Sequence, residues 1–104
     1  MGTFNGGVKG VRITSTSSTN NYLIIVEIED TAHDVAKVEV DLQVTSDPNP
    51  VDCDKHSDNA GVCTYKGYSE TKNPICGPTH EVIVKLYDKD NNPILSETHP
   101  ATVG

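Results

Sequence analysis

Four stretches of this chain, GVRITSTS, YLIIVEIE, AKVEVDLQV and EVIVKLYD, alternate apolar with polar residues at a period of two. Only an extended strand places every second side chain on one face, so the pattern demands strands with one buried side. Val, Ile and Thr fill these stretches, and their β-branched side chains suit a pleated surface. The one helical candidate, DTAHDVAKVEV, puts Val38 and Val40 at strand spacing instead. TSTSSTNN and DKDNNP read as turns, because Asn, Asp and Pro favour turn backbone geometry. An all-β chain of 104 residues is one domain with one modest core.

The segment Thr45 to Pro78 breaks the rhythm. Only CTYKGYSE within it has strand character, so the segment reads as a long decorated connection. MGTFNGG, residues 1–7, reads as an expression start joined to a linker, which leaves 8–104 as the domain. Eight Lys plus Arg face fifteen Asp plus Glu, a net charge of −7 that repels phosphate backbones and argues against a nucleic-acid partner. No apolar run approaches the roughly 20 residues that span a bilayer as a helix, so membrane insertion is not expected.

Two stretches resemble the bacterial Ig-like modules of secreted and surface multidomain proteins. In IIVEIEDTAHDVAKVEVDL, Ile24, Val26 and Ile28 alternate toward Asp30, and Val35, Val38 and Val40 follow a turn. In GPTHEVIVKLYDKDNN, Val82, Val84 and Leu86 alternate toward Asp88, with Asn91 and Asn92 in the turn. The resemblance implies an antiparallel Ig-like or fibronectin-III-like β-sandwich of about seven strands, carrying a long disulfide-containing connection. It implies a core of Val11, Ile13, Ile24, Val26, Ile28, Val38, Val40, Leu42, Val82, Val84, Leu86 and Ile94, with Leu23, Ile25 and Ile83 facing outward. The chain departs from antibody-type domains in having no Trp and no Cys on the second strand.

The stretch VDCDKHSDNAGVC concentrates chemistry-bearing residues. Cys53, Cys63 and Cys76 all fall in the long connection, where a cross-link stabilises a loop that buries little, so a disulfide among them is expected and its pairing is open. Zinc is a competing reading, since Cys53 with His56, Cys63, and Cys76 with His80 supply enough ligands, though at irregular spacing. CGPTH is similar to the ligand loop of blue-copper proteins, with His33 upstream, but no Met follows. Ser57 beside His56 and Asp58 is adjacency in sequence, whereas a triad needs convergence in space and an oxyanion site.

Among metals calcium fits better than zinc or copper, since turns at one end of a sandwich would draw Asp30, Asp34, Asp88 and Asp90 together as hard oxygen ligands, with plain turn geometry as the favoured competing reading of the same residues. Sugar binding asks for aromatic platforms, and Tyr65 and Tyr68 of YKGY offer a small one, with a structural role for these tyrosines as the competing reading. The reading is a noncatalytic recognition or spacer module, secreted or at a cell surface, that engages a protein or a neighbouring domain of its parent chain. The alternative is a calcium-stabilised or carbohydrate-binding accessory domain of a secreted hydrolase, with polysaccharide as its ligand.

Overall fold

The computed structural model describes residues 4, 6–15, 21–43, 50–69 and 77–104. Seven strands run in chain order: β1 (Gly7–Ser15), β2 (Tyr22–Glu29), β3 (Lys37–Asp41), β4 (Val51–Asn59), β5 (Val62–Tyr68), β6 (Thr79–Tyr87) and β7 (Pro93–Val103). The period-two stretches become β1, β2, β3 and β6, because each can bury one face and wet the other. In β2, Tyr22, Ile24, Val26 and Ile28 point inward, while Glu27 and Glu29 are exposed.

The strands pair in the ring order β1-β2-β5-β4-β3-β6-β7, and β7 returns to β1. The expected two-layer sandwich is therefore corrected to a closed seven-stranded barrel. Two short seams close it. β3 meets β4 through Val38 to Val40 against Val51 to Cys53, and β1 meets β7 in parallel through Val11 to Ile13 against Ala101 to Val103. A bulge between Val8 and Gly10 in β1 introduces a bend of the kind that lets one strand serve two neighbours. Period-two alternation sets which residues face the core but not which strand edges meet, so sandwich and barrel share one pattern.

Eleven of the twelve expected core residues are buried, and the twelfth, Ile94, packs against the core half-buried. Burial removes each from water with a gain of roughly 1.5–3 kcal/mol. Tyr22, Val35, Val51, Cys53, Cys63, Tyr65 and Ala101 join them. Leu23, Ile25 and Ile83 lie half-buried on the outer face.

The expected long connection is largely a β-hairpin. β4 and β5 pair from Asp54 opposite Lys66 to Asn59 opposite Val62, so the loop is only Ala60 and Gly61. Both have positive φ, 54° and 87°, the type I′ geometry that matches the twist of paired strands. Gly61 is required twice over, since a Cβ there would lie 2.5 Å from Thr31 Cγ2.

The hairpin also rules out a disulfide between Cys53 and Cys63. Cys53 and Cys63 are free and buried. Cys63 stands opposite Asp58, five positions along β4 from Cys53. At about 3.3 Å per residue that offset is on the order of 15 Å, whereas a disulfide needs Cα atoms within roughly 7 Å. Cys76, the third expected participant, lies outside the described residues.

Candidate functional site

Three connections gather at the pole where β2, β4 and β6 end. The β2–β3 connection, 30–36, is shaped by Asp30, whose buried carboxylate accepts hydrogen bonds from the backbone N–H of Asp34 (2.8 Å) and of Val35 (3.0 Å). The Asp30 N–H donates to the Gly61 carbonyl at 2.8 Å, tying this connection to the β4–β5 turn. The Ala36 N–H donates to the Tyr87 carbonyl at 2.8 Å, tying it to β6. Tyr65, inward on β5, donates its hydroxyl to the Val35 carbonyl at 3.2 Å from below.

The β6–β7 turn is built on Asp88 in a similar way. Its Oδ1 accepts from the N–H of Asp90 and of Asn92, each at 2.9 Å. Asn91 sits at φ 64°, a left-handed conformation that Asn tolerates well. Between these connections lies an open cleft of about 370 Å³, lined by Phe4, Ala36 and Ile94 on its apolar side and by His33, Asp34, Asp88, Lys89 and Asp90 on its polar side.

His33 ties the 30–36 connection to the end of β4. Its Nε2 lies 2.7 Å from Oδ2 of Asp58, and Lys55 Nζ lies 3.7 Å from the same oxygen. Asp58 Oδ1 also accepts from the Gly61 N–H at 3.3 Å. The His33 hydrogen bond, followed by the one from Gly61, holds the Asp58 carboxyl below the usual carboxylate range.

The four aspartates expected to hold calcium divide by role. Asp34, Asp88 and Asp90 line the cleft, while Asp30 is buried beneath it with both oxygens engaged by backbone donors. Among the described residues no three His, Cys, Asp or Glu side chains converge as metal ligands do. The zinc set separates, with Cys53 inward on β4, His56 outward on the same strand, and Cys63 a long step away on β5. His80 is at the far end of the barrel, its Nε2 2.6 Å from the Leu42 carbonyl beyond β3, whereas His33 precedes β3, so the copper-like arrangement does not assemble. His56 and Ser57 are exposed, and Asp58 turns to His33 instead of His56.

Tyr65 and Tyr68 do not form one platform. They fall on opposite faces of β5, with Tyr65 buried and Tyr68 60% exposed. Burial, followed by the charges of Cys63, Asp30 and Asp58, pushes the Tyr65 hydroxyl up to about 12, so it remains a hydrogen-bond donor. Burial likewise raises the Cys63 thiol, and burial together with Asp52 and Asp54 pushes that of Cys53 up to about 12, which keeps both from acting as thiolates.

Phe4 and the His33–Asp58 pair were invisible to sequence reasoning. Phe4 falls in the segment read as a linker, and the pair spans 25 residues with no motif to join it. No family model and no curated protein matches this sequence, so the likeness to bacterial Ig-like modules rests on its quoted residues alone.

Proposed function

We propose that this domain is a noncatalytic recognition module that engages a protein partner through the pole formed by the 30–36 connection, the 60–61 turn and the 88–92 turn. The observation that carries this reading is the cleft. Its apolar side of Phe4, Ala36 and Ile94 adjoins a rim rich in carboxylates, a pairing that suits a Lys or Arg side chain with its aliphatic stem on the floor. The connections around it are braced by backbone bonds from Asp30 and Asp88, and a pre-ordered surface loses less entropy on binding. A secreted or cell-surface setting rests on the resemblance alone.

The rival reading, a calcium-stabilised or carbohydrate-binding accessory domain, draws on the same three cleft aspartates. Against it, Asp88 Oδ1 already accepts two backbone hydrogen bonds, and among the described residues Tyr68 is the one exposed large aromatic.

Titration of the 15N-labelled domain with short Lys- and Arg-containing peptides, with calcium and with a soluble cello-oligosaccharide separates the readings. Recognition predicts peptide-dependent amide shifts confined to 33–36 and 88–92 that vanish in Ile94→Glu. Shifts with calcium or sugar alone would favour the rival, and no response to peptides at millimolar concentration would contradict the proposal.

A further inference from the structure

β7 pairs with β6 along its whole length, from Tyr87 opposite Pro93 to Thr79 opposite Thr102. On its other side it meets β1 only at Ala101 to Val103. Among the described residues, no strand pairs with the side of β7 from Ser96 to Pro100 that faces away from β6.

The hydrogen bonds at the end of β7 reveal which backbone groups line that open side. The Val103 N–H points to the β6 side and donates to Pro78, while the Gly104 N–H points to the other side and donates to Ile13 of β1. Successive residues of a strand alternate sides. Counting back, Ser96, Thr98 and Pro100 face the open side, and Glu97 and His99 face β6. Pro100 fits this series, because a strand tolerates a proline where its missing N–H would have pointed away from the ladder. Ser96, Thr98 and Pro100 are also exposed.

An unpaired edge of this kind is a template for another extended chain, and proteins commonly guard such edges with Lys, bulges or Pro, of which this edge has only the prolines on either side of it, Pro93 and Pro100. β7 has neither Lys nor Arg, and its ladder with β6 is regular over these residues. We propose that two copies of this chain pair antiparallel along β7, in the register centred on Thr98, a reading independent of the pole's role.

Side-chain chemistry selects that register. Centred on Thr98, the pairing sets each Glu97 opposite the second copy's His99, a carboxylate facing an imidazole twice over. The Thr98 N–H groups and carbonyls exchange across the two-fold axis, and each Ser96 N–H donates to the second copy's Pro100 carbonyl, whose other lone pair faces His99 Nδ1 of its own copy at 2.8 Å. Centred on Glu97, the pairing would oppose two carboxylates. Centred on Ser96, it would leave Glu97 facing Leu95 and His99 facing Pro93. Pro93 and Pro100 bracket the edge and keep the contact short, so the association is weak and reversible.

Sedimentation of the intact chain from about 20 µM to about 1 mM reads this directly, because small interfaces associate in that range. The expected result is a mass rising from 11.2 kDa toward twice that value. Thr98→Pro, which removes an N–H directed away from β6, should stay monomeric with an unchanged circular dichroism spectrum. Glu97→Lys should weaken association about tenfold, and Glu97→Lys with His99→Glu should restore it, as expected when an opposed pair is broken and then exchanged. A mass independent of concentration, association that persists in Thr98→Pro, or association indifferent to Glu97→Lys would each overturn the proposal. If Thr98→Pro fails to fold, the two charge variants decide alone.

Discussion

β4 and β7 are each joined to one neighbour through only three residues, β4 to β3 and β7 to β1, while β4 pairs with β5 from Asp54 to Asn59 and β7 with β6 from Pro93 to Thr102, yet their free stretches are built oppositely. Beyond the seam, β4 runs through Asp54, Lys55, His56, Ser57 and Asp58, all exposed, with a bulge between Lys55 and Ser57. β7 runs through Ser96 to Pro100 with a single charged residue, Glu97, and a regular ladder. A bulged, charged edge repels added strands, whereas a regular hydroxyl-bearing one accepts them. Closing a barrel through short seams thus leaves two edges, and the sequence treats one as a surface and the other as a contact.

The largest expected effect lies on the guarded side. A Cβ on Gly67 would stand 2.4 Å from the Asp52 carbonyl oxygen and 3.0 Å from Val51 Cγ1, so Gly67→Ala must push β4 off β5. We expect a loss of about 2–3 kcal/mol in chemical denaturation. On β1, by contrast, a Cβ on Gly10 meets nothing within 4 Å, and Gly10→Ala should change stability by less than about 0.5 kcal/mol. Equal effects would mean that the β4–β5 contact is looser than described.

Asp30→Ala should follow, at about 2 kcal/mol, because two backbone donors lose a buried charged acceptor. Cys63→Ser is expected to cost about 1–3 kcal/mol by placing a hydroxyl in the core, while His56→Thr on the exposed part of β4 should be silent within about 0.5 kcal/mol. Thermal or urea melts of the three variants check the order.

The smallest effect is electrostatic. Asp58 and Glu39 both have carboxyls held below their ordinary range, the first by His33 and the second mainly by its hydrogen bond with Tyr87. A depressed folded pKa gives stability that is present above the unfolded pKa and lost as pH falls through the folded one, so both contributions disappear below about pH 4. His33→Ala should lower neutral-pH stability slightly and make the loss of stability below about pH 4 shallower, because the contribution it removes is present above that pH and absent below it. Unchanged stability at neutral pH would show that the His33–Asp58 contact contributes nothing in solution.

The barrel's interior was legible in the sequence because period-two alternation in β1, β2, β3 and β6 marks inward residues directly. β4 was not legible, since only Val51 and Cys53 of its nine residues are buried and the remainder reads as a polar loop. Its strand state comes from backbone pairing with β5 and from the Ala60–Gly61 turn, signals that composition hides. Barrel closure was illegible for the same reason: three backbone pairs at each seam carry no side-chain signature. At the pole, the aspartates were legible as turn residues. Their division into cleft-lining Asp34, Asp88 and Asp90 and buried Asp30 depends on which backbone donors each meets.

Amide hydrogen exchange resolved by residue tests the contrast between the two edges most directly. In dilute solution Ser96 and Thr98 should exchange fast while their neighbours Glu97 and His99, bonded to β6, exchange slowly. As concentration rises, Ser96 and Thr98 should gain protection while the free stretch of β4 does not change. Slow exchange at Thr98 in dilute solution, or rates there that ignore concentration, would contradict it.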